Sequence, residues 1–566
     1  MNITRKLLMS VTLMAVSLLF LASCASGDAP APAGGAAGGG GGAAGGAEAA
    51  TGAQAQPADD FSEHYVFSIA VLNADAGVNY NADDVARHFS EMFNFSLEVI
   101  PLTFADWNDM GRIWISAQDM PDMIHQNFSF IDYASWIDQG LIRRFPDNWK
   151  ATYPNLAAVF DLSMIGPALE SVIPGEQALF PNVPYFSTRP TDPKLAPHFS
   201  FIFRRDWASA LGFEIKDGYT LDEIGEMLDT FMREGSSIPG VDMSRIDTFN
   251  LDSLRVARVY MTSQWADWER FFRDESGQYV WGPRDPRTFD LLQSMQDAIH
   301  SGQVSRNFAS FQGEEQDHLF YAGQAFGIFS HGWVRPIFAN WSRFTANTGL
   351  DAAEALHIAV ILDEDGNFQE YEQLNFWSCF YFCPRMSDSK FNRMLTFFDY
   401  LVTEEAQNMV RMGIEGRDWN RDGGEIVITR EWLEETGNFI DLHDLYPVTL
   451  IYNSFLILGD DFGARDPAIP ELHHTLARNK YAVKQTQGVD TGTLRPFNWE
   501  VEFFQGDHFR RFPYSTTTAN LNNLRNAMVQ IAMEPGDLRE NYERWLQERA
   551  AMVDPVLAEL NAAFGG

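Results

Sequence analysis

The feature that most constrains this chain is an alternation of apolar strands and amphipathic helices that begins at His64. The run YVFSIAVL is continuously apolar, which favours a buried strand, and Asn81 then precedes a helix with Val85 and Phe89 on one face. A second apolar strand covers residues 95–104, and a further helical stretch leads towards a third strand. This order predicts an α/β fold built on a parallel sheet.

The third strand ends in a loop that is a candidate binding site. It begins at Met123 and runs into polar and aromatic residues at 125–130. In open parallel sheets, ligands bind outside the carboxyl ends of the strands. We therefore expect this loop to line a ligand site.

A second α/β unit follows from about residue 199. Thr220 and Glu223 have the spacing of a capping box, and they begin a helix whose buried stripe is Leu221, Ile224, Leu228 and Phe231. The alternation continues with a helix at 286–301, strands at 324–330 and 356–362, and helices at 389–401 and 403–412.

A short apolar segment opens the chain. It covers residues 7–21 after two basic residues, about 15 residues in all, which suits a secretory signal but not a span of roughly 30 Å of hydrocarbon. The tetrapeptide Leu-Ala-Ser-Cys that ends at Cys24 resembles the lipobox cleaved by signal peptidase II. We expect residues 1–23 to be a lipoprotein signal peptide and Cys24 to carry lipid, so that the body lies outside the cytoplasm, anchored to the cell membrane. The alternative is an ordinary secretory signal with a cysteine there by chance.

Residues 24–61 are mostly alanine, glycine and proline. Such a composition cannot bury enough apolar surface to offset the entropy of ordering it. We interpret the segment as a tether with a reach of roughly 30 to 35 Å.

The charge balance excludes some partners. The 566 residues include 77 acidic and 41 basic side chains, which gives a formal net charge of −36. A polyanion would be repelled over most of such a surface, which argues against nucleic-acid binding and makes fully acidic polymers less favourable ligands.

No metal or cofactor is expected. Cys379 and Cys383 lie four apart in an apolar strand, too far apart to bridge each other, and we expect buried free thiols. Residues 418–423 have the start of a calcium loop, but Thr429 stands where a bidentate glutamate is needed. The adjacent histidines at 473–474 would point about 100° apart on a helix.

Four segments together resemble the extracellular solute-binding proteins of carbohydrate ABC transporters, in particular the large lipoprotein branch that includes maltose-binding protein. They are AQDMPDMIHQNFSFIDYASWIDQGLIRRF, PYFSTRP with FSFIFRRDWASALGF, FYAGQAFGIFSHGW, and YLVTEEAQNMVRMGIEGRDWNRDGG. Their order over about 300 residues carries the resemblance. Two departures are Gln118, where the family has glycine, and Ala208, where leucine is common.

The resemblance implies a two-lobe periplasmic-binding-protein type II fold with a hinge and an interlobe cleft. Mapping by motif, we expect residues 62–200 and 340–415 to form lobe 1, and residues 201–339 and 416–566 to form lobe 2.

A sugar needs flat aromatic platforms and short polar groups, and several residues meet that need. The resemblance puts Trp333 at the family's cleft tryptophan, as a stacking platform or an interdomain contact, and His331 beside it as a hydrogen-bonding or structural group. The remaining candidates are Asn127, Phe128, Tyr185 and Trp377.

For two further sets of candidate residues, a purely structural role explains the sequence about as well as ligand contact does. Trp265 and Trp268 have the spacing of one helix face, which favours packing, although one could edge the cleft. Glu415, Arg417 and Trp419 either contact ligand or form a structural ion pair and turn near the hinge.

The function that the resemblance implies is capture of an oligosaccharide outside the cell and its delivery to the permease of an ABC importer, by a monomer that is not an enzyme. A secreted glycoside hydrolase is one alternative, although no catalytic motif supports it. A binding protein of the same fold for a peptide or another small solute is the other.

Overall fold

The computed structural model describes residues 61–72, 74–103, 106–175, 177–182, 195, 199–311, 315–376, 378–433, 438–455, 466–515 and 518–565. Residues 59–566 form one compact unit. Within the described ranges, none of the helices has the length and apolar character needed to cross a bilayer.

The described strands and helices alternate through most of the chain. The strands are β1 Tyr65–Leu72, β2 Phe95–Leu102, β3 Met123–Gln126, β4 Leu179–Asn182, β5 Ser200–Arg204, β6 Gly218–Thr220, β7 Asp247–Asn250, β8 Phe271–Arg273, β9 Tyr279–Trp281, β10 Ala325–Ser330, β11 Leu356–Leu362, β12 Glu370–Tyr371, β13 Ser378–Phe382, β14 Trp419–Asp422, β15 Glu425–Ile428, β16 Trp432–Leu433, β17 Asn438–Phe439 and β18 Leu494–Arg495. The α-helices are α1 Asp84–Phe93, α2 Trp107–Ala117, α3 Phe130–Asp138, α4 Trp149–Thr152, α5 Pro154–Leu162, α6 Ile165–Val172, α7 Arg205–Ala210, α8 Leu221–Glu234, α9 Ser253–Ala257, α10 Pro286–Ser301, α11 Glu315–Tyr321, α12 Val334–Thr348, α13 Ala352–Ala355, α14 Asp388–Leu401, α15 Glu404–Met412, α16 Leu442–Leu445, α17 Val448–Phe455, α18 Glu471–Lys484, α19 Trp499–Glu502, α20 Thr518–Met533 and α21 Leu538–Phe564.

Two five-stranded sheets organise the molecule. The first has the order β2-β1-β3-β13-β4 and the second the order β6-β11-β5-β10-β7. Each sheet has its own hydrophobic core. We call the body around the first sheet lobe 1 (described residues within 61–182 and 375–455) and the body around the second sheet lobe 2 (described residues within 199–372 and 466–565). The prediction of a two-lobe α/β fold is confirmed.

The strands within each sheet are mostly parallel, as predicted. In lobe 1, β1 runs parallel to β2 and β3, and only β13 is antiparallel to its neighbours. In lobe 2, β10 is parallel to β7 and β11 is parallel to β6, with β5 antiparallel between β10 and β11. Helices cover the faces of such sheets, which explains why β11, buried along its whole length, is apolar except at His357.

Local signals predicted several elements correctly. The capping box at Thr220 and Glu223 is formed at the start of α8. The helix at 286–301 and the strand at 356–362 have the predicted bounds. The predicted cap of α1, Asn81, was wrong, because Asp83 accepts the hydrogen bond from the start of the helix. The side chain of Asn81 is instead hydrogen-bonded to the backbone of β2 at Leu97.

Two segments lie in the other lobe from the one predicted. The segment after residue 340 was assigned to lobe 1, but β11 pairs with β5 and β6 of lobe 2. Residues 416–455 were assigned to lobe 2, but α16 and α17 bury Tyr446, Ile451 and Phe455 in the core of lobe 1. An apolar strand or helix can pack on either sheet, so the sequence pattern does not decide between them.

Candidate functional site

The chain crosses between the lobes at one edge of each sheet. In lobe 1 this edge holds the carboxyl ends of β1, β2, β3 and β4 and the start of β13; in lobe 2 it holds the carboxyl ends of β6, β7, β10 and β11 and the start of β5. The chain leaves β4 to enter β5, and it passes from β11 through β12 to enter β13. These two crossings join the two edges where α/β sheets place ligands. A third crossing between the lobes lies between α17 and α18.

One crossing is short. Tyr371 belongs to lobe 2, where its hydroxyl donates to the carboxylate of Asp267. Asn375 belongs to lobe 1, where it donates to the Leu162 carbonyl at 2.9 Å and accepts from the Met164 amide at 2.7 Å. Four residue steps span at most about 14 Å. The two edges are therefore close to each other at this point.

The lobe 1 edge presents Asn127 and Phe128, both half-buried, directly after β3. The ring of Phe128 lies 6.1 Å from that of Tyr133 and 6.0 Å from that of Phe376, so its position is fixed by aromatic packing. The preceding His125 is buried, and burial lowers its pKa to about 3. His125 is therefore a neutral core residue, and Asn127 and Phe128 are the parts of this loop left for a ligand.

Asp122, which directly precedes β3, is a structural residue. Its carboxylate accepts from the amide of Ser68 at 2.8 Å and from Lys390 at 2.6 Å. It therefore joins β1 to α14 and stabilises lobe 1 rather than the site.

The lobe 2 edge presents an aromatic cluster around His331. Its ring lies 5.3 Å from Phe199 and 4.9 Å from Trp333, and Phe199 stacks on Phe329 at 5.5 Å. Trp333 and His331 are half-buried, and Trp333 is the residue that precedes α12. Two predicted site residues thus lie together, with Phe199 as a neighbour that sequence reasoning missed.

The charges around His331 keep it neutral. Burial, with the nearby cations Arg255, Arg258 and Lys480, lowers its pKa to about 4. A neutral imidazole has one donor and one acceptor nitrogen, the pair of functions that a hydroxyl group needs. The guanidinium of Arg258 lies 4.5 Å from the ring centroid of Phe199 and pairs with Glu370 at 2.6 Å.

Trp265 and Trp268 are packing residues in this structure, although they do not form the predicted helical stripe. Trp265 is extended and starts the 3-10 helix 266–269, and both indoles are buried in the lobe 2 core. The guanidinium of Arg287 lies 3.8 Å above the ring of Trp265 and separates it from the neighbouring cavity.

Glu415, Arg417 and Trp419 lie on lobe 1 in an ion-paired turn. Arg417 pairs with Asp84 at 2.6 Å, and Glu415 lies 3.8 Å from Arg421. The indole of Trp419 is buried and donates to the Gly413 carbonyl at 2.9 Å. These contacts favour the structural explanation for the three residues.

Three predicted residues, Tyr185, Trp377 and Cys24, lie outside the described residues.

The predicted state of the cysteines agrees with the described part of the chain. Cys379 and Cys383 are buried free thiols. No group of three or more His, Cys, Asp or Glu side chains in the described ranges is arranged to hold a metal ion. The Asp418 carboxylate accepts from the Ile414 amide at 2.7 Å and from the Tyr446 hydroxyl at 2.9 Å, which occupies it as a structural group.

A cavity of about 1030 Å³ adjoins the short crossing. Its wall includes Tyr371, Phe497, Asn498, Trp499 and Glu500, none of which was predicted as a site residue. The run PFNWE at 496–500 has the aromatic and polar composition of a sugar site, and this was the signal available in the sequence.

Solved structures of solute-binding proteins share the fold of this chain. The alginate-binding protein AlgQ2, solved without calcium ion, matches with a TM-score of 0.63 at 14% identity, over 90% of this chain and 100% of that one. An HMO-binding, ABC-transporter-associated solute-binding protein from Bifidobacterium longum infantis matches with a TM-score of 0.60 at 12% identity, over 89% and 100%. FusA, an ABC-transporter substrate-binding protein of S. pneumoniae in complex with kestose, matches with a TM-score of 0.59 at 12% identity, over 88% and 98%. No protein-family model and no curated protein matches the sequence.

Proposed function

We propose that this protein is the substrate-binding component of an ABC importer, which captures an oligosaccharide outside the cell and delivers it to a membrane permease. The observation that carries the proposal is the placement of half-buried aromatic and polar groups at the carboxyl edges of two lobes that the chain joins directly. Similarity of fold to structures whose names specify alginate, HMO or kestose supports a carbohydrate ligand.

The site chemistry agrees with binding rather than turnover. Trp333 offers an aromatic platform, and neutral His331 and Asn127 offer a donor and an acceptor each. In this proposal the lobes close over the sugar by bending at the crossing segments, and the sugar leaves unaltered.

The proposal includes a position at the membrane surface. Cys24, the last residue of the lipobox-like tetrapeptide, carries the lipid, and residues 24–61 tether a monomeric body near the permease.

A titration of intrinsic tryptophan fluorescence tests the proposal. The panel contains malto-, cello-, manno- and fructo-oligosaccharides together with short peptides, and each sample is assayed for new reducing ends. A saturable shift with a glycan and no product supports the binding function. Reducing ends that accumulate with time would indicate a hydrolase, and a shift with peptides alone would overturn the carbohydrate assignment.

A further inference from the structure

The 1030 Å³ cavity has an aromatic wall whose rings are not all needed for packing. The ring centroids of Phe497 and Trp499 lie 4.6 Å apart, and both residues are half-buried. Phe497 belongs to none of the hydrophobic clusters formed by the described residues. Its apolar face is therefore free to contact the C–H face of a sugar ring.

The polar part of the cavity is ordered before any ligand binds. Asn498 donates to the hydroxyl of Tyr279 at 3.3 Å, and this hydroxyl donates to Glu500 at 2.7 Å. Arg273 donates to the same carboxylate at 2.7 Å. Groups held in this way lose little conformational entropy when they bind hydroxyls, which favours affinity.

The charges that line the cavity disfavour an acidic ligand. Its three arginines are each matched to a carboxylate: Arg273 to Glu500 at 2.7 Å, Arg287 to Asp285 at 2.9 Å and Arg495 to Asp267 at 3.6 Å. The lining also contains the carboxylates of Asp274 and Glu275, so anionic groups are in excess. A carboxylate ligand close to either of them would be repelled.

The cavity wall is attached to both lobes. Trp499 and Phe503 pack against the lobe 1 core, where the ring of Phe503 lies 4.5 Å from that of Phe130. Val501, between them, is fully buried in the lobe 2 core. A ligand on Trp499 would therefore contact an element that both lobes hold in place.

From these observations we propose that the cavity is a subsite for uncharged sugar residues of a long oligosaccharide, with Phe497 and Trp499 as its stacking platform, and that it selects against uronic acids. A volume of about 1030 Å³ is at the upper end of the roughly 300 to 1000 Å³ typical of small-molecule sites, which suits several sugar units. The inference rests on the proposed function and deepens it by naming the ligand class.

Calorimetric titration of the wild-type protein and three variants tests the subsite. The probes are malto-, cello-, manno- and fructo-oligosaccharides of two and of five or more units, and oligouronates of matching length. Phe497→Ala removes the platform, and Phe497→Leu removes the ring but keeps apolar volume, in case the alanine variant is unstable. Trp432→Ala, which truncates an exposed aromatic residue on β16 outside the cavity, is the matched control.

We expect a neutral series to bind more tightly than oligouronates. Both Phe497 variants should bind the oligosaccharide of five or more units in that series about tenfold or more weakly than the wild-type protein does. Trp432→Ala should leave this affinity unchanged. Preference for the oligouronate, or unchanged affinity in the Phe497 variants, would overturn the subsite and leave the proposed function standing. Absence of binding to every glycan by the wild-type protein would contradict both proposals.

Discussion

The glycine between His331 and Trp333 explains how this pair reaches the edge of the lobe 2 sheet. A Cβ atom on Gly332 would lie 2.5 Å from the Ser200 hydroxyl oxygen and 2.8 Å from a methyl carbon of Ile358. A side chain at 332 would require the side chains of Ser200 on β5 and Ile358 on β11 to shift. Glycine therefore lets the segment that carries both rings pack closely against these two strands.

Truncation of the platform next to this glycine should weaken ligand binding. Trp333→Ala is expected to cost about 1 to 3 kcal/mol of binding free energy, the usual loss for one aromatic anchor. Calorimetry with the glycan identified by the panel measures the change, and Trp432→Ala is the control. Unchanged affinity would remove Trp333 from the site.

A buried ion pair behind the site should be needed for stability. Arg525 makes two hydrogen bonds to Glu269, at 2.7 and 2.8 Å, and Glu269 is 2% exposed. Burial acts to raise the pKa of Glu269, but the charge of Arg525 and its hydrogen bonds hold the pKa below its usual value. Arg525→Ala would remove both hydrogen bonds from this buried carboxylate and leave it only the charges of Arg270 and Arg258.

We expect Arg525→Ala to lower the free energy of unfolding by about 3 to 5 kcal/mol, as measured by urea denaturation. Its control is Arg544→Ala, which breaks the exposed pair with Glu534 and should cost less than about 1 kcal/mol. Equal losses in the two variants would contradict this account.

At the scale of single elements, helix ends position the candidate loops. Helix α2 ends at Gln118, which has a φ of 54° in the left-handed region, where glycine is favoured. The resembled family has glycine at this position, and the conformation gives the physical reason. The chain then turns into β3 and the loop with Asn127 and Phe128. Glutamine instead of glycine at position 118 therefore keeps the loop in place, but at an energetic cost.

Glycine at this helix end should therefore be stabilising. Gln118→Gly is expected to raise the free energy of unfolding by about 0.5 to 1 kcal/mol, since it relieves left-handed strain. Gln139→Gly at the end of α3, where φ is −87°, should be destabilising by a similar amount. Chemical denaturation measures the free energy of unfolding of both variants. A loss of stability in Gln118→Gly would show that the interpretation of strain at this position is wrong.

At the scale of the whole molecule, the described part of the chain forms two lobes whose relative position depends on few connections. The chain crosses by way of 372–374, and α19 adds aromatic contacts to lobe 1 and the buried Val501 to lobe 2. Because each lobe has its own core, bending at these connections would leave both cores intact. This construction suits a protein that closes over a ligand.

The proposed anchor is testable on the full-length chain in its natural membrane. Cys24→Ser should remove the lipid attachment site and shift the protein from the membrane pellet to the soluble fraction, with glycan affinity unchanged because Cys24 is not among the residues proposed to bind the ligand. Immunoblots of fractionated cells and calorimetry provide the two measurements. A variant that still sediments with membranes would contradict lipid anchoring.

The sequence by itself determined the local structure, because its signals act over a few residues. The capping box at Thr220, the apolar run of β11 and the burial of Cys379 are readable from neighbours in the chain. Only the tertiary structure decided which sheet received β11, because strand pairing joins residues more than 100 positions apart. It also decided that Phe497 and Tyr371 line the same cavity, and that burial, together with cations from two separate helical segments, keeps His331 neutral. Packing and electrostatics act through space, so the run PFNWE has the composition of a sugar site but does not reveal which residues it faces.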